Sequence, residues 1–183
     1  MSYFNDFLEE ELDLLISLPA RVGLWISRID DVKDSDRDDH RERRALEVVL
    51  EALSKSKKTA PFVSEIVRQT LTYRHKWEGW RDSQDRLMQD IALAVRLVDD
   101  RLPKENARNY KKALWQVARS VAQAWGEYMG SDEGIAEEAM LGGLFLKIVD
   151  AVADPISDDP QNISSDEKEA LKKLRAILKG EKV

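Results

Sequence analysis

The chain has 183 residues, of which 43% are hydrophobic and 35% are charged, and its net charge at neutral pH is −6. This balance is typical of a single soluble globular domain and excludes a largely disordered chain, because enough apolar surface is present to form a core. A net negative charge argues against nonspecific binding to nucleic acid, since a phosphate backbone attracts clustered Lys and Arg.

The inventory of metal-binding and redox residues is small. The sequence has no cysteine and only two histidines, His40 and His75. Disulfides and thiolate metal sites are therefore excluded, and a structural zinc site lacks ligands. The first 20 residues carry five acids and no Lys or Arg, which is the opposite of a secretory leader. The longest apolar run, 139–146, is too short to cross a bilayer. We therefore expect a cytoplasmic protein with no membrane partner.

Apolar residues recur at spacings of three and four along the whole chain, which predicts an all-α protein. Short connections predict one compact bundle of about seven to eight helices over residues 1–183. The predicted helices are Tyr3–Leu18, Ala20–Ile29, Asp39–Lys55, Pro61–Arg74, Ser83–Arg101, Lys104–Met129, Asp132–Ala153 and Ser165–Lys179. Pro19 is predicted to separate the first two helices, because proline is tolerated in a first helical turn. Gly79 is predicted to interrupt the pattern before the fifth helix. The longer connections are an acidic connector at 30–38 and a loop rich in proline and aspartate at 154–164.

Two predicted helices are expected to contribute most to the core. The inward face of the sixth consists of Ala107, Tyr110, Leu114, Val117, Ala118, Val121 and Trp125. The seventh is apolar around most of its circumference, which predicts the central and most buried position.

The stretch Asp30–Arg44 alternates acids with bases and admits two interpretations. A calcium loop of the EF-hand type needs oxygen ligands at positions 1, 3, 5 and 12, with glycine at position 6. A register that begins at Asp34 puts Ala45 at position 12, and one that begins at Asp36 puts Arg41 at position 6. Because neither register fits and bases compete for the acids, a solvated connector is the favoured interpretation.

Two acids begin the inward faces of predicted helices. Glu42 precedes the inward apolar residues of the third helix, and Glu137 precedes those of the seventh at the same spacing. If the two carboxylates met, with Asp30, Asp34 or Asp132 nearby, they would form a cage for a hard divalent cation such as Ca²⁺ or Mg²⁺.

Helix capping explains such acids without a metal. Asp39-x-x-Glu42 and Ser164-x-x-Glu167 both have the spacing of a capping box, in which the carboxylate accepts a hydrogen bond from the N-cap amide. Capping is favoured, because every helix start must satisfy its unpaired amides. The cation cage remains the alternative.

The layout also resembles a known family. Two helix-loop-helix units with acids after the loop, the stretch NYKKALWQVARSVAQAW at 109–125 and the stretch ISSDEKEALKKLRAIL at 163–178 resemble the all-helical tellurite-resistance TerB-like proteins. The resemblance implies a compact bacterial bundle with acidic metal-binding positions and a role in stress-response complexes. The positions that it implies as metal ligands are Asp31, Glu42, Asp132 and Glu137. The Asp-Gly-x-x-x-x-x-Glu pattern of the family is approximated only by DEGIAEE at 132–138, since no glycine follows the acids of the first unit.

The sixth predicted helix carries a basic patch. Residues 101–119 contain six bases and one acid, a net charge of +5. The patch residues are Lys104, Arg108, Lys111, Lys112, Trp115 and Arg119. Bases around an aromatic ring can dock an anionic partner. The favoured alternative places the tryptophan at the core edge, beneath the aliphatic stems of its basic neighbours. Residues 130–159 contain eight acids and one base, a net charge of −7, and this complementarity motivates a homodimer hypothesis.

The stretch RHKWEGW places His75, Trp77 and Trp80 close together beside a glycine. One interpretation is a ligand pocket, because aromatic rings are suited to stacking. The favoured interpretation is that the tryptophans fold back onto the bundle and pack there.

The sequence contains no phosphate-binding glycine loop, no nucleophile elbow and no paired-histidine zinc motif. No catalytic residue and no bound cofactor are therefore predicted. We expect a non-catalytic bacterial module that binds a protein partner or a second copy of itself. The resemblance to TerB-like proteins implies that its role is stress-associated. A divalent-cation-binding bundle is the alternative, and an enzyme with a carboxylate-based site is the least favoured function.

Overall fold

The structure is a computed structural model that describes residues 3–29, 36–81, 84–128, 142–143, 145–146 and 163–181. The α-helices whose first and last residues it defines are α1 (Glu9–Ser27), α2 (Asp36–Lys55), α3 (Pro61–Thr72), α4 (Trp77–Arg81), α5 (Leu87–Arg101), α6 (Lys104–Tyr128) and α7 (Ser165–Leu178). Short 3₁₀ helices span Tyr3–Asp6, Arg74–Lys76 and Gln84–Arg86. Since no strand occurs in the described ranges, the all-α prediction is confirmed.

Helix α1 lies at the centre of the described bundle. It contacts each of the six other helices, and every residue from Leu15 to Leu24 is buried. A helix that is enclosed on all sides over several turns must be apolar or small around its whole circumference, as this stretch largely is. The predicted seventh helix lies mostly outside the described residues. Of its described part, Phe145 packs against the core, whereas Leu146 is 65% exposed.

Pro19 does not end a helix, as the sequence predicts, but lies inside α1. Proline has no amide hydrogen, so it leaves the carbonyl four residues earlier, that of Leu15, without its helical partner. The Tyr110 hydroxyl of α6 donates to Leu15 O at 2.9 Å, and Thr70 of α3 donates to Ile16 O at 2.6 Å. Neighbouring helices thus satisfy the carbonyls beside the proline, and the helix continues.

Helix α2 packs closely against α1. A side chain at Gly23 would collide with the buried Leu46 of α2, so the glycine permits this approach. Helix α2 begins at Asp36, inside the predicted connector 30–38, whose first six residues lie outside the described ranges. Asp39 is therefore within the helix and not at its N-cap, and the predicted capping box with Glu42 is wrong.

The remaining helices match the predicted inward faces closely. Those residues of α6 that were predicted to face inward and whose side chains the structure describes are all buried: Ala107, Tyr110, Leu114, Val117, Ala118 and Val121. The capping box of α7 is confirmed, since Ser164 N donates to Glu167 Oε2 at 3.0 Å and Glu167 N donates to Ser164 Oγ at 3.1 Å. Gly180, with φ of 77°, ends this helix in the left-handed region that favours glycine. Of the predicted loop at 154–164, only Ile163 and Ser164 are described.

Candidate functional site

The acids predicted as metal ligands lie almost entirely outside the described part of the chain. Asp31, Asp132 and Glu137 are not described, and Glu42 belongs to α2 but its side chain is not described. Among the side chains that are described, no three His, Asp or Glu residues come together in a way that could hold a metal ion. The divalent-cation hypothesis therefore stays a prediction.

The residues of the predicted basic patch have different environments along α6. Lys104 and Arg108 are exposed. Lys111 is paired with Asp99 of α5, with its Nζ 2.7 Å and 2.9 Å from the two carboxylate oxygens. Lys112 is half-buried beside the turn between α2 and α3. Arg119 is half-buried one turn beyond Trp115. The spacing of the patch residues therefore keeps them on one face of α6, but their partners and their exposure differ.

Trp115 is the aromatic residue of the patch. Its side chain is buried, with 8% of the residue exposed, and the guanidinium carbon of Arg175 in α7 lies 5.9 Å from the ring centroid. A cation at this distance from an indole face is attracted by the ring quadrupole. Two neighbouring donors, Trp115 Nε1 and Arg119 Nε, are buried and have no hydrogen-bond partner within the described chain. Both atoms are donors only, so they can be satisfied only by an acceptor.

Helix α7 adds a row of bases that the predicted patch does not include. Lys168, Lys172, Arg175 and Lys179 occur at spacings of four, three and four residues, which places them along one flank of the helix. The contact between Arg175 and Trp115 joins this flank to α6. The combined feature, here called the α6–α7 basic surface, consists of Arg108, Trp115, Arg119, Lys168, Lys172, Arg175 and Lys179.

The three residues of the predicted aromatic pocket have unlike environments. Trp77 is 1% exposed, belongs to the core, and donates from Nε1 to Thr70 O at 3.1 Å. Trp80 is half-buried against that core. His75 is exposed, and its ring lies 6.1 Å from that of Tyr73 in an edge-on arrangement. The packing of the two tryptophans follows the predicted folding-back, and the ligand pocket remains a hypothesis.

A buried ion pair joins α1 to α5. Arg21 is 4% exposed, and its Nη2 lies 2.7 Å from Asp90 Oδ2. The backbone carbonyl of Arg21 also accepts a hydrogen bond from Gln84 Nε2 at 3.3 Å. Sequence reasoning missed this pair, because its partners are 69 residues apart. The sequence feature that could have indicated this pair is an arginine in the middle of an apolar helix, since a buried charge requires a partner.

Two carboxyl groups in the described ranges have lowered pKa values. Hydrogen bonds from Arg68 and Gln69 lower the pKa of Glu65, and a hydrogen bond from Lys173 lowers that of Glu169. A carboxyl group that serves as a general acid needs the opposite shift. Burial raises the pKa of the Tyr110 phenol, which keeps it protonated as the donor to α1. These shifts support helix stability and give no indication of acid-base chemistry.

Comparison with known protein families, with curated proteins and with solved structures found no match. The resemblance to TerB-like proteins therefore remains a prediction. No helix in the described ranges is both long and apolar enough to cross a membrane.

Proposed function

We propose that the protein is a non-catalytic interaction module that binds an acidic segment of a protein partner at the α6–α7 basic surface. The observation that supports this proposal most directly is the position of Arg175 over Trp115, which joins two rows of bases from different helices. Charged side chains arranged in this way attract an oppositely charged partner and fix its orientation.

The chemistry of the surface favours an acceptor-rich ligand. Its charged residues are all Lys or Arg, and the buried Trp115 Nε1 and Arg119 Nε add two donors without described partners. Carboxylates accept hydrogen bonds and carry negative charge, and arginine can bind them through two parallel bonds. An acidic protein segment supplies many such groups.

A protein is favoured over a nucleic acid by the charge of the whole chain. The net charge of −6 repels a long polyanion that extends beyond the basic surface. A short acidic segment lies within the surface and avoids that repulsion. Nucleic-acid binding is therefore treated as a competing outcome of the test.

The test is a fluorescence-anisotropy titration of a labelled polyglutamate peptide with the protein. The double variant Arg119→Gln/Arg175→Gln should weaken binding about twofold to thirtyfold, because each lost ion pair contributes roughly 0.2–1 kcal/mol and tenfold in affinity corresponds to about 1.4 kcal/mol. Rising salt should weaken binding of the wild type, since it screens exposed charges.

The matched control is Lys57→Gln/Lys76→Gln, which removes the same charge from two exposed positions outside the surface. Circular dichroism establishes that each variant is folded. Equal weakening in both double variants would contradict a defined surface and leave only a general charge effect. Tighter binding of a labelled single-stranded oligonucleotide than of the peptide would replace the protein partner with nucleic acid.

A further inference from the structure

A small polar cavity lies beside α6, between this helix and the turn that joins α2 to α3. Its polar lining residues are Lys58, Thr59, Asn109, Lys112 and Gln116. Within the described part of the chain, these lining residues include two lysines, a hydroxyl and two amides, but no acid. The cavity lining is thus positive and rich in hydrogen-bond donors, in a chain whose net charge is −6.

The size of the cavity suits a group of a few heavy atoms. Its volume is about 40 Å³. One water molecule requires about 10–15 Å³ measured in this way, so the cavity admits a group larger than a single water. A carboxylate or a phosphate group has that scale.

One polar atom at the cavity has no partner of its own. Thr59 Oγ1 is buried and makes no hydrogen bond within the described chain. A buried hydroxyl without a partner destabilises the fold, and an acceptor bound in the cavity would remove that cost. Because Thr59 is itself a lining residue, this atom points to a ligand with an acceptor oxygen.

The turn that carries Lys58 and Thr59 is held in place by its own hydrogen bonds. Lys58 N donates to Ser56 Oγ at 3.2 Å, and Thr59 N donates to Ser56 O at 3.1 Å. Ser64 Oγ of α3 donates across the turn to Ser54 O at 2.9 Å. A turn fixed in this way presents its side chains without further ordering, which reduces the entropy cost of binding.

The start of α3 adds to the positive character of the cavity. Ala60 occupies the N-cap position, where it has no side chain that could cap, and Pro61 follows it. The first amides of a helix have no partner within the helix, and the positive end of the helix dipole attracts an anion. Ala60 and Val63, which belong to this helix start, both line the cavity.

We propose that this cavity binds a compact oxyanion, a phosphate or a carboxylate group, between the α2–α3 turn and α6. The site is separate from the α6–α7 basic surface and goes beyond the proposed function, because it requires no protein partner. Lys58 and Lys112 provide the charge, and Thr59, Asn109 and Gln116 provide hydrogen bonds. A phosphorylated compound and a compound with a free carboxylate share this chemistry.

The test is isothermal titration calorimetry of the full chain with inorganic phosphate, and separately with acetate, against sodium chloride of the same ionic strength. We expect saturable binding of one anion per chain. Thr59→Val, Lys58→Gln and Lys112→Gln should each raise the dissociation constant at least about tenfold, since a hydrogen bond that involves a charged group contributes about 1.5–3 kcal/mol. Tighter binding of phosphate identifies a phosphorylated ligand, and comparable binding of acetate identifies a carboxylate.

Lys57→Gln is the matched control, because it removes the same charge from an exposed neighbour that does not line the cavity. It should leave anion affinity within about twofold of the wild type. Heats no larger than those with chloride, or equal losses in Lys57→Gln and Lys58→Gln, would overturn the proposal. Thermal unfolding with and without phosphate provides a second readout, since a ligand of the native state raises the midpoint of unfolding. The polyglutamate titration does not decide this question, because the residues changed there, Arg119 and Arg175, do not line the cavity.

Discussion

Pro19 interrupts the hydrogen-bond ladder of the most enclosed helix of the described bundle. Proline removes one amide and its ring crowds the carbonyl four residues earlier, which ordinarily kinks or ends a helix. The bond from Tyr110 to Leu15 O replaces the missing helical hydrogen bond, and Thr70 donates to the neighbouring carbonyl of Ile16. The two donors also connect α6 and α3 to the centre of α1, beside the proline.

At this site we predict the effect of Tyr110→Phe. The change retains the ring but removes the hydroxyl, so the buried Leu15 carbonyl loses its partner. The free energy of unfolding should fall by about 1–3 kcal/mol. Chemical denaturation measures this loss, and the unfolding temperature should fall by about 2–4 °C for each kcal/mol in a chain of this size.

The control is the same change in a Pro19→Ala background. Alanine restores an amide that can bond to Leu15 O, so Tyr110→Phe should then cost about 1 kcal/mol less than in the wild type. An equal cost in both backgrounds would show that the hydroxyl contributes through ordinary packing, and that the carbonyl beside the proline is satisfied in another way.

The same residues show what local sequence patterns can and cannot predict. Proline is usually a helix boundary, so the pattern predicts two helices where α1 is one. The compensating donors lie on α3 and α6, far away in sequence, and no local rule finds them. Arg21 is a similar case: its charge indicates that a partner is needed, but the sequence does not identify Asp90.

At the scale of helices, prediction succeeded where the apolar stripe was strong and the ends had caps. Helix α6 begins at the predicted residue, Lys104, and α7 begins at the predicted Ser165. It was weaker over 73–86, where short helical turns surround the buried Trp77. There the burial of one large ring sets the backbone path, and Gly79 lies within α4 instead of interrupting the pattern. Of the acidic candidate metal positions, Asp31, Asp132 and Glu137 lie outside the described residues, and Glu42 lies in α2 but its side chain is not described.

For helix α7 we predict the effect of Ser164→Ala. The change removes the oxygen that accepts from Glu167 N at the helix start. Stability should fall by about 1 kcal/mol, the usual cost of losing an N-cap side chain. Denaturant unfolding measures it, and hydrogen exchange should rise first in the first turn of α7.

Ser165→Ala is the matched control for this prediction. Ser165 is the first residue of the helix and is exposed, and alanine is favourable there. It should leave stability within about 0.5 kcal/mol of the wild type. A cost for Ser165→Ala that equals the cost for Ser164→Ala would contradict the capping account.

At the scale of the whole molecule, charge is divided unevenly along the chain. The basic surface lies on α6 and α7, whereas residues 130–159 have a net charge of −7. A second copy of the chain therefore carries an acidic segment of the kind that the proposed function requires. The homodimer hypothesis is that this segment of one copy binds the basic surface of the other. Complementary charge accelerates encounter and sets orientation more than it adds affinity, so an association of this kind should be weak and sensitive to salt.

Sedimentation velocity at two ionic strengths tests this hypothesis. We expect self-association that increases with protein concentration at about 20 mM salt and is lost at about 500 mM, where the screening length falls well below 10 Å. Arg119→Gln/Arg175→Gln should weaken the association at low salt, while Lys57→Gln/Lys76→Gln should change it little. A monomer at every salt and protein concentration would exclude a second copy as the partner, and the polyglutamate titration would then decide whether the surface binds another acidic protein. Association that persists at high salt would require an apolar interface, because screened charges cannot sustain it.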